Sequence, residues 1–246
     1  MRMCTLQEQR IERTAILLGK AQIDTLKHAH GMIFGLGGVG SYAAEALGRM
    51  GIGKLTLVDG DRFEYSNINR QLNALMSTVG KSKVLVTAQR LRDINPDADI
   101  NPIEAFYLPD TPVPIADDVD FVVDAIDTVS AKLHIIETCN HRNIPILSCM
   151  GMGNRLDPTQ IRIGELFDTD TCALCRVMRK ELRKRGILKL RCVYSTEEAC
   201  KCTHEMSTGN GRRAISGSVA FVPSVAGLYM AYDIIRTLCS LNPANK

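Results

Sequence analysis

Three charged residues stand at spacings that could act on a polyphosphate. Arg70 lies eleven residues past Asp59, Lys83 thirteen past Arg70, and Asp127 ends the run "DFVVDAID". When a carboxylate attacks the α-phosphorus of ATP, negative charge grows on the departing pyrophosphate. Fixed cations together with Mg²⁺ stabilise that charge selectively in the transition state. Arg70 and Lys83 would grip the β- and γ-phosphates, and Asp127 would hold the magnesium. Each also has an ordinary explanation: a surface ion pair for Arg70, the solvated start of a helix for Lys83, an N-cap near Ser130 for Asp127. One phosphate site accounts for all three together.

The loop that would carry the nucleotide is "GMIFGLGGVGSYAAEALGRMG". Gly35, Gly37 and Gly40 fit G-x-G-x-x-G, and Gly38 adds a fourth glycine. After a first strand the chain must turn tightly, bring backbone close to phosphate and pack a helix on the sheet. The helix amino-terminus then offers free N–H groups to phosphate oxygens. Asp59, 19 residues after Gly40, ends the next strand where a carboxylate accepts hydrogen bonds from ribose hydroxyls. To this point a nicotinamide dinucleotide would fit as well. The cations decide for ATP, because a dinucleotide pyrophosphate is held mainly by backbone amides.

The elements that must position these residues follow from periodicity. Residues 5–28 read as helix with a break at Gly19. Then "GMIF", "KLTLVDGD", "DINPIEA", "DFVVDAID" and "IPILSCMG" read as strands, and "SYAAEALGRM", "KVLVTAQRLRDIN" and "SAKLHIIETCNHRN" as helices between them. This alternation predicts a doubly wound α/β fold, a Rossmann-like and mostly parallel sheet with helices on both faces. Past Gly151 the pattern loosens into a strand "QIRIGEL", a basic helix, an irregular stretch from Arg191 to Gly217, and a buried apolar helix. We divide one domain accordingly: an amino-terminal helical segment (1–28), a nucleotide-binding core (29–153), and a substrate-side region with an irregular crossover segment and a C-terminal helix (154–246).

At 246 residues, 45% hydrophobic, the chain can bury a large core, which excludes global disorder. The start, "MRMCTLQEQRIER", lacks the apolar centre of a signal peptide, so the expectation is a cytoplasmic protein. The apolar stretch 215–232 contains Pro223 and several polar residues, which favours a buried helix over stable membrane insertion. Net charge is +3, yet residues 176–191 hold eight basic residues against one acidic, leaving −4 on the rest. Arg176, Arg179, Lys180, Arg183, Lys184 and Arg185 could therefore grip an RNA backbone, or form a solvated helix face.

The quoted motifs, with "SNINRQ", "GKSK" and "DAID", resemble the E1-like activating superfamily, whose members adenylate carboxylates. Within it, "QRIERTAILLG", "INPDADI", "SCMGMGNRLDPTQIRI" and "SVAFVPSVAGL" are similar to the group that dehydrates N6-threonylcarbamoyladenosine in tRNA. The resemblance implies that the glycines, Asp59, Asp61, Ser66, Asn67, Asn69, Gln71 and Thr128 line the nucleotide. It also implies that Arg70 and Lys83 hold its phosphates and Asp127 the magnesium, and that Arg13 reaches the other subunit's site in a homodimer. The implied reaction closes threonylcarbamoyladenosine to a cyclic form through a carboxyl-adenylate, with ATP and Mg²⁺ as cofactors. The alternative is activation of the C-terminus of a ubiquitin-like sulfur-carrier protein, with a carrier or sulfur-relay protein as partner. A silent nucleotide-binding module is disfavoured because Arg70, Lys83 and Asp127 are all present.

The nine cysteines of an unexported chain point to free thiols, a metal or a catalytic thiol. Carrier-activating relatives commonly hold zinc through two CxxC pairs. Here Cys172 and Cys175 form one, but only "CKC" at Cys200 and Cys202 could complete four ligands, which disfavours zinc. A nucleophilic thiol would be Cys192, Cys200 or Cys202, activated by the cations of 183–191. The sequence does not choose among them, and cyclisation directly from the adenylate needs none.

Overall fold

The computed structural model describes residues 6–201, 204–208 and 211–241. Gly19, at φ +89°, divides the amino-terminal helices α1 (Leu6–Leu18) and α2 (Lys20–His28). The core then alternates as the apolar periodicity predicts: β1 (His30–Phe34), α3 (Gly40–Arg49), β2 (Lys54–Val58), α4 (Lys83–Ile94) and β3 (Asp99–Ile103), followed by β4 (Phe121–Asp124), α5 (Val129–His141) and β5 (Ile146–Cys149). The remaining elements are β6 (Ile161–Glu165), α6 (Ala173–Lys184), β7 (Arg191–Ser195), β8 (His204–Thr208), β9 (Gly211–Ile215) and α7 (Phe221–Leu238).

Seven strands form one sheet in the order β3-β2-β1-β4-β5-β7-β6, all neighbours parallel except β6 and β7. Chain order reverses between β1 and β4, which opens a crevice at their carboxyl ends. Strand residues alternate between two cores. Ile33 and Val123 join Leu47, Leu91 and Met230 from α3, α4 and α7 on one face. Met32, Phe34 and Val122 join Ala131 and Ile135 of α5 on the other. A third cluster buries Met178 and Leu182 of α6 against Leu133 and Ile136 of α5.

The region after Gly151 departs from the expectation drawn for it. Residues 191–195 are a strand inside the sheet, seated between β5 and β6, not the start of an irregular stretch. Its core run Cys192-Val193 is only two residues long, flanked by polar residues, so the length and alternation that mark a strand are weak. A β8–β9 hairpin occupies part of the crossover. The basic run also divides: α6 ends at Lys184, and Arg191 instead joins β7. Among the described residues no helix is long and apolar enough to cross a membrane.

Candidate active site

The crevice at the reversal point is a cleft of about 760 Å³. Its floor is the glycine loop. Gly35 adopts φ +86°, a conformation side chains resist, and a Cβ on Gly40 would stand 1.8 Å from the Gly35 carbonyl oxygen. Helix α3 therefore starts against the β1 loop with no side-chain cap, and Gly37, Gly38 and Val39 line the cleft just before it. That arrangement presents the positive end of α3 to a ligand.

Asp59 ties the two loops together. Its Oδ2 accepts the Leu36 N–H at 2.6 Å and its Oδ1 the Asp61 N–H at 2.8 Å. Burial raises its carboxyl above the ordinary range, with Lys83 and the two N–H groups pulling the other way. Lys83 begins α4 yet is only 5% exposed, so it is no solvated helix start. Its Nζ reaches Asp61 Oδ2 at 2.8 Å on the cleft wall. Arg70 is half-buried and also on the wall, its Nη1 held by Ser66 O and Asn69 Oδ1, both at 2.9 Å, and not by any acid among the described residues.

Gln71 is 7% exposed and lines the cleft, but its Oε1 has no hydrogen-bond partner among the described residues. A buried amide oxygen left unpaired is costly. A donor on a bound ligand would satisfy it.

Asp127 stands three residues past the end of β4, exposed and facing the cleft, where its Oδ1 accepts from Thr128 Oγ1 at 3.5 Å. It does not cap α5, whose N-cap is Thr128 without a side-chain bond. The loop carrying it is anchored from beneath. Asp124 and Lys132 are both fully buried; Lys132 Nζ donates to Asp124 Oδ2 at 2.8 Å, and Ser148 Oγ donates to the same oxygen at 2.6 Å. The Ile126 N–H donates to Asp124 Oδ1 at 3.3 Å.

The cleft thus gathers Gly35, Gly37, Gly38, Asp59, Asp61, Asn67, Arg70, Gln71, Lys83, Asp127 and Thr128. Gly40 is buried behind it; Ser66 and Asn69 hydrogen-bond Arg70, and Asn69 Nδ2 also donates to Ser218 O at 3.0 Å. Arg13 is exposed on α1 and is not part of the lining. Sequence reading missed the far wall: Phe106, Tyr107 and Leu108, the loop Met150–Gly153, and Ser216 to Ser218. The aromatic pair after β3 was the available signal, since loops at the carboxyl edge of such a sheet carry function. Asn154, at φ +58°, clamps the crossover over the cleft: its Oδ1 accepts the Gly217 N–H at 2.6 Å and its carbonyl accepts the Cys200 N–H at 2.7 Å.

The thiols sort by burial. Cys192, one of the three thiols the sequence left open, is fully buried, and burial pushes it up to about 12, away from the reactive thiolate. Cys172 is instead drawn below the ordinary thiol range, chiefly by a hydrogen bond from the Cys175 thiol, then by the Cys175 and Gly151 N–H groups, against burial; Cys175 rises in turn. Both are buried at the start of α6. Cys200 is half-buried, and Cys202 lies outside the described residues, as does any zinc set that needs it.

Comparison with known proteins agrees with this geometry. The tRNA threonylcarbamoyladenosine dehydratase of Bacillus subtilis (strain 168) is 39% identical over 236 residues, 92% of this chain and 93% of that protein. The crystal structure of the E. coli tRNA N6-threonylcarbamoyladenosine dehydratase in complex with ATP superposes with a TM-score of 0.83 and 32% identity, covering 95% of each chain. The molybdopterin-synthase adenylyltransferase of E. coli (strain K12) matches over less, 32% identical across 62% of this chain and 60% of that one. The model of the ThiF family matches residues 11–246. The chain belongs to the ThiF family.

Proposed function

We propose that the protein is an ATP-dependent tRNA threonylcarbamoyladenosine dehydratase acting through a carboxyl-adenylate. The carrying observation is the pair Lys83 and Arg70, held on the wall of a cleft whose floor is a glycine loop and a bare helix start. The relatives that match along nearly the whole chain carry this activity in their names, and the solved neighbour holds ATP.

In the first step the carboxylate of the threonyl group attacks the α-phosphorus, and the bond to pyrophosphate breaks. Lys83 turns from Asp61 to the β- and γ-phosphates, and Arg70 joins it, so cationic charge meets the charge that grows on the leaving group. Asp59 accepts hydrogen bonds from the ribose, and the unpaired Gln71 oxygen takes a donor of the nucleotide. In the second step the carbamoyl-adenosine part of the same substrate attacks the activated carbonyl, AMP departs, and the net change is loss of water. Both reacting groups belong to one molecule, which favours closure.

Asp127 suits a magnesium ion carried in with the nucleotide. It is an exposed carboxylate in the cleft with no cation paired to it among the described residues, and Mg²⁺ is a hard cation that takes oxygen ligands. When bound, that ion would neutralise phosphate charge. Arg13 shares α1 with Ile16 and Leu17, which are 76% and 77% exposed. That apolar face suits a second copy of the chain, and Arg13 would then reach into the second copy's cleft, in a cytoplasmic homodimer.

The test is ATP–pyrophosphate exchange by the purified protein, with tRNA bearing threonylcarbamoyladenosine or ubiquitin-like carrier proteins added separately. Exchange with the tRNA alone is expected. Exchange with a carrier alone would replace this reading by carrier or sulfur-relay activation.

A further inference from the structure

Helix α6 starts at the cleft and carries its cations away from it. Leu174, in its first turn, lines the cleft, and its inner side buries Cys175, Met178 and Leu182. The six cations of the outer side fall into two sets. Arg179 Nη1 turns back onto the carbonyl of Thr169, at 2.5 Å, and onto the Thr169 hydroxyl. Lys184 and Arg185 both pair with Glu181, and Arg185 also reaches Glu137 at 3.0 Å. Arg176, Lys180 and Arg183 are exposed, and their side chains make no ion pair or hydrogen bond among the described residues.

These three stand at offsets of four and seven, on one face, over about 10 Å at a rise of about 1.5 Å per residue. Arg183 also stacks on Phe167, its guanidinium carbon 5.3 Å from the ring centroid. Like charges four apart on a helix repel. A solvated face mixes signs, as the paired set does with Glu181. The unpaired set keeps its repulsion, which a polyanion would relieve.

We propose that Arg176, Lys180 and Arg183 form a docking stripe for the phosphodiester backbone of RNA next to the nucleotide held in the cleft. The proposal rests on reading that cleft as the site for a modified tRNA. The helix start then marks where the nucleotide enters, and the stripe sets how the flanking strand runs. Contacts of this kind position without reading sequence.

The test is tRNA binding by the intact protein, using unmodified bulk tRNA as probe, across a range of salt. The variant R176Q/K180Q/R183Q is expected to lower the slope of log K against log salt by about 2 to 3, since each lost phosphate contact removes roughly 0.7 to 0.9. Affinity at low salt should fall tenfold or more, and with modified tRNA KM should rise while kcat holds. Melting temperature and ATP affinity should match the unsubstituted protein. The control K184Q/R185Q, which removes cations already paired, should leave the slope unchanged.

Unchanged tRNA affinity and slope in the triple variant would overturn the stripe, and is what an acidic protein docking there would give. If the unsubstituted protein shows no exchange with modified tRNA but binds tRNA through these residues, the stripe stands and the dehydratase reading falls.

Discussion

Lys132→Met tests whether the loop that carries Asp127 is held by a buried charge pair. Lys132 and Asp124 are 0% exposed and 2.8 Å apart. At that separation, with an effective dielectric of about 20, their attraction is about 6 kcal/mol. Desolvation of the two ions offsets much of this, so the pair need not stabilise the fold on balance. Removing only the cation is different, because it strands Asp124 with the Ser148 hydroxyl and the Ile126 N–H as its remaining partners. Breaking one side of such a pair costs about 3–5 kcal/mol. For a chain of this size that lowers the melting temperature by roughly 6–20 °C, at about 2–4 °C per kcal/mol. The loop from 125 to 128, which carries Asp127, loses its tether, so ATP affinity should fall as well. Scanning calorimetry and nucleotide titration measure both. The double variant Asp124→Asn/Lys132→Met removes the stranded charge while keeping an acceptor for Ser148, and should recover most of the loss. A single variant melting within 2 °C or so of the unsubstituted protein would refute the reasoning. So would a double variant as damaged as the single, since the cost would then be packing and not charge.

The other predictions concern charge at the cleft, the thiols and acid stability. Lys83→Ala should slow pyrophosphate exchange by roughly 10²–10³ at saturating ATP, the usual cost of losing one preorganised group; full activity would remove Lys83 from the phosphate site. Cys192→Ala should keep cyclisation turnover, because the thiol is buried and pushed up to about 12. Loss of turnover with an unchanged melting temperature would restore a thiol intermediate at that position. Asp233→Asn should destabilise the protein near neutrality, with the difference shrinking in acid. Burial would raise the Asp233 carboxyl, but Arg191 and Arg236 outweigh it and hold it below its ordinary 3.8. Its stabilisation is therefore full above about pH 4 and is lost as pH falls through the lower folded value. Melting curves from pH 7 to pH 3 check this, and a constant difference across that range would contradict it.

The glycine loop, Asp59 and Asp127 were legible because each follows the carboxyl end of a strand, where topology leaves a residue little choice of direction, and Lys83 because it starts the helix after the second of those loops. Once β1 and β4 are neighbours, Asp59 and Asp127 must flank the same crevice. The ordinary alternatives for two of these side chains are settled by burial and partners: Lys83 is enclosed, and Asp127 caps nothing. What could not be read was contact set by tertiary packing. Nothing local says that Ser216 to Ser218 return to the cleft, because that depends on Asn154 holding Gly217 across 63 residues.

The misread strand shows the same limit from the side of energetics. Residues 191–195 carry Arg, Tyr and Ser around a core of Cys192 and Val193, and the segment follows a helix dense in charge. In isolation it has too little apolar surface to be a strand. It is one because β5 presents a free edge on one side and β6 pairs antiparallel on the other, from Ile161 opposite Ser195 to Glu165 opposite Arg191. Arg191 is then neutralised by Asp233 of α7, at 2.8 and 2.9 Å, and not by solvent. Arg191, counted from the sequence in the basic run 176–191, thus joins the sheet to the last helix. That is also why the stripe on α6 must be sought among the cations that no carboxylate has already claimed.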